Sequence, residues 1–84
     1  MSVYVGPSVY PLGRMKMCHM VADSLDELHG MADAITLPRR YFQDLDKRRP
    51  HYDVAMSKRA LAVKFGALPV EERKIIQVLT AQEE

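Results

Sequence analysis

The sequence predicts a small single-domain α/β sandwich: a short, partly parallel sheet of three to four strands carrying about three helices. Three observations lead there. Short apolar segments of β type alternate with amphipathic stretches, the helix boundaries carry capping and stop residues, and the chain has only 84 residues. Domains usually need about 100–150 residues, so residues 1–84 form one domain and a second folded unit has no room. At 48% apolar and 27% charged residues the composition is that of an ordinary globular protein.

Each element has its own signal. Ser2-Val3-Tyr4-Val5 reads as a first strand, and Gly6, Pro7, Pro11 and Gly13 break the chain into a loop reaching about Lys16. Cys18-His19-Met20-Val21-Ala22 is mostly apolar and reads as a buried strand that runs into a helix. Ser24 and Glu27 form a capping box at that helix start. Leu25, Leu28, Ala32 and Ile35 then recur at helical spacing, and Pro38 ends the helix at Leu37. Arg39 to Gln43 is read as extended, followed by a polar loop through Pro50. His51-Tyr52-Asp53-Val54 is a short strand, and Ser57 caps a second helix closed by Gly66. Ala67 to Val70 gives a third short strand, unless Pro69 instead opens the last helix. That helix carries Ile75, Ile76, Val78 and Leu79, and residues 81–84 fray.

Charge and cysteine content bound the function. Twelve basic against eleven acidic residues give +1, and the pI of 7.9 is below the value above about 9 expected of a dedicated nucleic-acid binder. Cys18 is the only cysteine, so no intramolecular disulfide and no cysteine-based zinc site can form. A reducing cytoplasm is the expected compartment. No leader peptide and no membrane-length apolar run is found, so no membrane partner is expected.

His51 and Asp53 lie two apart, so on a strand they leave the same face and can share a proton, a metal or a ligand. His19, with Asp23 at the end of its strand, joins them if the two strands are neighbours. The competing reading makes Asp53 a helix cap and His51 a packing residue. No metal or other cofactor is expected, because a metal normally takes three or more protein ligands. Lys58 and Arg59 fall in the first turn of a helix, facing its positive pole. Either a bound anion or a nearby carboxylate such as Asp53 must compensate them. Arg39, Arg40 and Tyr41, with Arg48 and Arg49 beyond, combine guanidinium and aromatic groups as nucleic-acid or protein interfaces do, although a core Tyr41-Phe42 strand fits equally. His29 is placed on the exposed side of the first helix, and Cys18 is read as a small buried hydrophobe.

Taken in order, Val3-Tyr4-Val5, His19-Met20-Val21-Ala22-Asp23-Ser24 with Glu27-Leu28-His29, Leu37 to Gln43, His51-Tyr52-Asp53-Val54, Ser57-Lys58-Arg59 and Gly66-Ala67 resemble the uncharacterised bacterial and phage family catalogued as domain of unknown function 4031. The resemblance covers nearly the whole chain. It implies a context rather than an activity: short cytoplasmic proteins, often encoded by phages and prophages. Members commonly carry an acidic pair directly after the first strand, where this chain has Gly6-Pro7, and the segment from Asp44 to Pro50 is longer than the usual link. Both departures argue against catalysis in this member.

The expectation is therefore a small non-enzymatic phage- or prophage-type accessory protein. It would bind a host protein or complex through a surface built on Arg39, Arg40, Tyr41, Arg48, Arg49, Lys58 and Arg59, and a host defence complex that it inhibits would fit. Nucleic acid is the less favoured macromolecular partner. The rival is an enzyme or ligand binder for a phosphorylated substrate, with His19, His51 and Asp53 exchanging protons and Lys58 and Arg59 neutralising phosphate.

Overall fold

Burial alternates along the longest strand. In the computed structural model, which describes residues 2–7, 10–12, 15–43 and 50–81, Cys18, Met20 and Ala22 turn to one side of the sheet and His19 and Val21 to the other. Two-sided burial of a strand requires cover on both faces. That is what the chain supplies: two helices lie on one face and one on the other.

The elements follow in the order β1 (Val3–Val5), β2 (Tyr10–Leu12), β3 (Met15–Ala22), α1 (Leu25–Ala34), a single 3-10 turn (Arg39–Tyr41), β4 (Phe42–Gln43), β5 (His51–Ala55), α2 (Met56–Lys64), β6 (Leu68–Pro69) and α3 (Glu72–Ala81). The α/β class, the three helices and the mixed sheet match the sequence expectation. The sheet runs β4-β5-β3-β1-β6, with β2 pairing β3 off that path. Four of its strands are three residues or longer, and β4 and β6 are two-residue edges. Among the described residues only β1 and β6 pair in parallel, Tyr4 opposite Leu68 and Val5 opposite Pro69. The remaining pairs are antiparallel, including β3 with β5, where His19 stands opposite Asp53 and Met20 opposite Tyr52.

The main core joins Val3, Val5, Cys18, Met20, Tyr52 and Val54 of the sheet to Leu28, Ala32 and Ile35 of α1 and Ala62 of α2. A second, smaller core on the opposite face sets Val21 against Ile75 and Val78 of α3, with Tyr4, Val70 and Leu79 partly buried around it. The first two helices end alike. Leu37 N–H donates to the Ala32 carbonyl and Thr36 N–H to Asp33, and Ala67 and Gly66 do the same to Ala62 and Val63. Both are Schellman closures, with Thr36 (φ 58°) and Gly66 (φ 112°) at the left-handed position.

Several local expectations are corrected. The predicted loop before Lys16 contains β2, and β3 already begins at Met15, because the two pair antiparallel with Leu12 opposite Met15. The first helix stops at Ala34 rather than Leu37, since Thr36 turns left-handed before Pro38 can act. Arg39–Tyr41 is a 3-10 turn and only Phe42–Gln43 is extended. Ser57 does not cap α2: Ala55 passes straight from β5 into the helix as its N-cap, leaving Ser57 inside the first turn. Leu25 of the predicted apolar stripe is exposed. His29 is partly buried, because its Nδ1 lies 2.8 Å from the hydroxyl of the buried Tyr52. Arg48, Arg49 and most of the loop before Pro50 lie outside the described residues.

Candidate functional site

The period of two in β5 puts His51 and Asp53 on one face, and the antiparallel register of β3 and β5 sets His19 directly across from Asp53. The three side chains meet. Asp53 Oδ1 lies 3.1 Å from His19 Nδ1 and 3.5 Å from His51 Nε2, so one carboxylate oxygen serves two imidazoles. The two rings stand edge to face with centroids 5.2 Å apart. Each side chain keeps about a quarter of its surface exposed, 28% for His19, 25% for Asp53 and 24% for His51. A group held by two strands yet still reached by solvent is positioned without being sealed.

The cluster sits on the α3 face of the sheet. His19 and His51 line a depression of about 230 Å³ whose other wall is α3, through Glu72, Ile75, Ile76 and Leu79. In the sequence Glu72 is only an acid in the first turn of α3, suited to the helix dipole. Its Oε2 is closed off from solvent and has no hydrogen-bond partner among the described residues. Leaving a buried acceptor unmatched costs about 1–3 kcal/mol, more for a charged one. No local pattern reveals this residue; only the packing of α3 over the second sheet face does. A built Cβ on Gly6 would come within 3.3 Å of that same oxygen and of Ile75 Cγ1, so the end of β1 approaches the helix closely.

Asp53 also borders a second hollow, lined by Met17, Leu37, Tyr41, Ala55, Ser57 and Lys58. The Lys58 ammonium donates to the Ile35 carbonyl at 2.8 Å and to Thr36 Oγ1 at 2.9 Å. Arg59 Nε donates to the Gly6 carbonyl at 2.8 Å. Backbone carbonyls thus offset both first-turn cations, one of them at the negative pole of α1. Neither a carboxylate nor an anion is needed for that purpose.

The structure separates the other sequence candidates from this cluster. Asp23 accepts from the Ser2 backbone N–H at 2.9 Å and the Tyr4 hydroxyl at 3.3 Å, and so staples the chain start to the end of β3. Asp53 is engaged by His19, not spent as a helix cap. Parallel α/β sheets place ligands at the carboxyl ends of their strands; here the cluster lies on a sheet face instead, because its two strands run antiparallel. Arg39 pairs with Asp33 at 3.1 Å, and the Arg40 guanidinium lies over the Tyr41 ring at 5.1 Å, both on the surface. Cys18 is buried against the Val54 carbonyl on the opposite face, and burial raises its thiol above the ordinary value, partly opposed by Arg59.

Among the described residues no helix is long and apolar enough to cross a membrane. No curated protein and no solved structure matches the chain. A family model described as "Protein of unknown function (DUF4031)" matches residues 3–82, the span that contains every strand and helix above. The chain therefore belongs to that family of unknown function.

Proposed function

We propose that the protein is a small enzyme or ligand-binding protein whose working centre is the His19–Asp53–His51 cluster, and that its ligand is a small phosphorylated compound. One observation carries this reading: a single carboxylate oxygen is held within 3.1 and 3.5 Å of two imidazoles, and both imidazoles line an accessible depression. Two imidazoles and a carboxylate so placed can move a proton to or from a bound group. The phosphorylated character is suggested by the charge of Lys58, which shares the adjoining hollow with Asp53 and has a third ammonium donor beyond the two given to the Ile35 carbonyl and the Thr36 hydroxyl. Turnover of a panel of chromogenic phosphate esters, with thermal shift as a second readout, tests it. His51→Ala is expected to lower kcat/KM by roughly 10²-fold or more. An unchanged response in a folded His51→Ala chain would contradict the reading.

A second reading retains the macromolecular partner. The 3-10 turn displays Arg40 stacked on Tyr41, a ring 46% exposed, and such pairs anchor interfaces. A phage- or prophage-type protein inhibiting a host defence complex would use this surface, with Arg39 beside it. Arg40→Ala combined with Tyr41→Ala should then release a host protein that the parent chain retains from lysate. Retention by the double variant argues against it. Direct nucleic-acid binding would instead show affinity falling steeply with salt.

A further inference from the structure

We propose that the His19–Asp53–His51 cluster is a divalent transition-metal site of the zinc type, completed by Glu72. The inference rests on that cluster being the working centre and names what it binds. Spacing is the first argument. A tetrahedral ion with bonds of about 2.0–2.1 Å holds its ligand atoms roughly 3.3–3.4 Å apart. Asp53 Oδ1 lies 3.1 Å from His19 Nδ1 and 3.5 Å from His51 Nε2, and one donor atom from each of the three residues falls within 4.8 Å of the others. Closing the widest pair, within 4.8 Å, to the tetrahedral spacing takes a shift of roughly 1.4 Å or less.

Ligand chemistry is the second argument. Two imidazoles and carboxylate oxygen suit zinc and its first-row neighbours, whereas calcium takes six to eight oxygens and magnesium keeps water and carboxylate. Glu72 supplies the third argument. It lines the same depression as His19 and His51 but lies outside their 4.8 Å group, so its side chain swings in to meet the ion from a place where Oε2 is shielded and has no hydrogen-bond partner among the described residues. With Asp53 and Glu72 ionised and both imidazoles neutral, the charge of a dication is balanced. On binding, the ion takes the Nδ1 lone pair of His19 and the Oδ1 lone pair of Asp53, and the His19 ring proton moves by way of solvent from Nδ1 to Nε2, so the imidazole stays neutral. Displacing Glu72 from the four-coordinate shell would open a position for a water activated for hydrolysis. Cys18 and His29 take no part: the thiol faces the Val54 carbonyl and His29 faces Tyr52, both in or beside the core on the other side of the sheet.

The test uses the full chain, stripped with a chelator, titrated with zinc chloride by calorimetry and with cobalt(II) by visible absorption. One equivalent of zinc is expected to bind, with cobalt giving four-coordinate d–d bands and no thiolate charge-transfer band. His51→Ala and Asp53→Asn should abolish binding, and Glu72→Gln should weaken it by roughly 10–100-fold, the range for groups that support a metal site. His29→Ala and Cys18→Ala should bind as the parent does. Circular dichroism identifies any variant that fails to fold, and Asp53→Asn, which conserves shape, then stands in for His51→Ala. A parent chain that binds no zinc, or binding that survives His51→Ala and Asp53→Asn but not His29→Ala or Cys18→Ala, overturns the proposal. Turnover of phosphate esters by the metal-free chain that depends on His51, without zinc binding, overturns the metal site alone. Absence of both overturns the working centre as well.

Discussion

A lysine in the first turn of a helix opposes the helix dipole, and Lys58 is tolerated there because its ammonium reaches the last turn of α1, where carbonyls are in excess. Removing it deletes two charge-assisted hydrogen bonds at once, leaving the Ile35 carbonyl with the Thr36 hydroxyl, which donates to it at 2.6 Å. Lys58→Met is therefore expected to lower unfolding free energy by about 1–3 kcal/mol, read from the urea midpoint at unchanged slope. A midpoint within error of the parent would mean the contact contributes nothing. Cys18 makes a second residue-scale case. Its thiol is raised by burial, so the folded state holds this proton more tightly than the unfolded chain, whose thiol titrates near 9.0. Its contribution to stability is complete below that value and is lost as pH rises through the higher folded value. Alkaline loss of stability should be shallower in Cys18→Ala, and alkylation of the parent thiol should track global unfolding. Sequence alone reads Cys18 and the Ser24 cap correctly: Glu27 N–H donates to Ser24 Oγ at 3.2 Å. Ser57 is misread because a hydroxyl caps only from the N-cap position, which Ala55 occupies.

Among the elements, α3 has the lightest seat. It rests on the sheet through Ile75 and Val78 against Val21, whereas α1 and α2 share the main core. Its amides should exchange with solvent well before those of β3 and α1, in a native-state hydrogen-exchange experiment. Equal protection would show that the second core is as strong as the first. Helix ends give another expectation. Gly66 occupies the left-handed closure of α2 at φ 112°, so Gly66→Ala should cost about 1–2 kcal/mol although no atom obstructs the new methyl. Thr36 bears the same kind of strain in α1 and recovers part of it through Lys58. The strands and helices that carry strong periodicity are legible in the sequence, and so is the Gly66 stop. The short β2 is not, because Pro11 and the adjacent Gly13 read as turn, and only pairing with the long β3 makes Tyr10–Leu12 a strand.

For the molecule as a whole, the site arises where the second face of the sheet meets α3. His51 and Asp53 are legible as a pair from their spacing, since a strand has a period of two. That His19 stands opposite Asp53 depends on the register of β3 with β5, two strands separated in sequence by residues 23–50, and no local signal fixes that register. Glu72 enters only through the docking of α3, and the cations of α2 are drawn away by carbonyls that sequence cannot place. The central claim is that one carboxylate binds two distant histidines into a single centre while the third histidine belongs elsewhere. Imidazole ring resonances of the parent chain and Asp53→Asn, compared at one pH by nuclear magnetic resonance, test it most directly. The resonances of His19 and His51 should move together while those of His29, bound to Tyr52, stay in place. Movement of only one of the pair, or of His29 as much as either, would contradict the account.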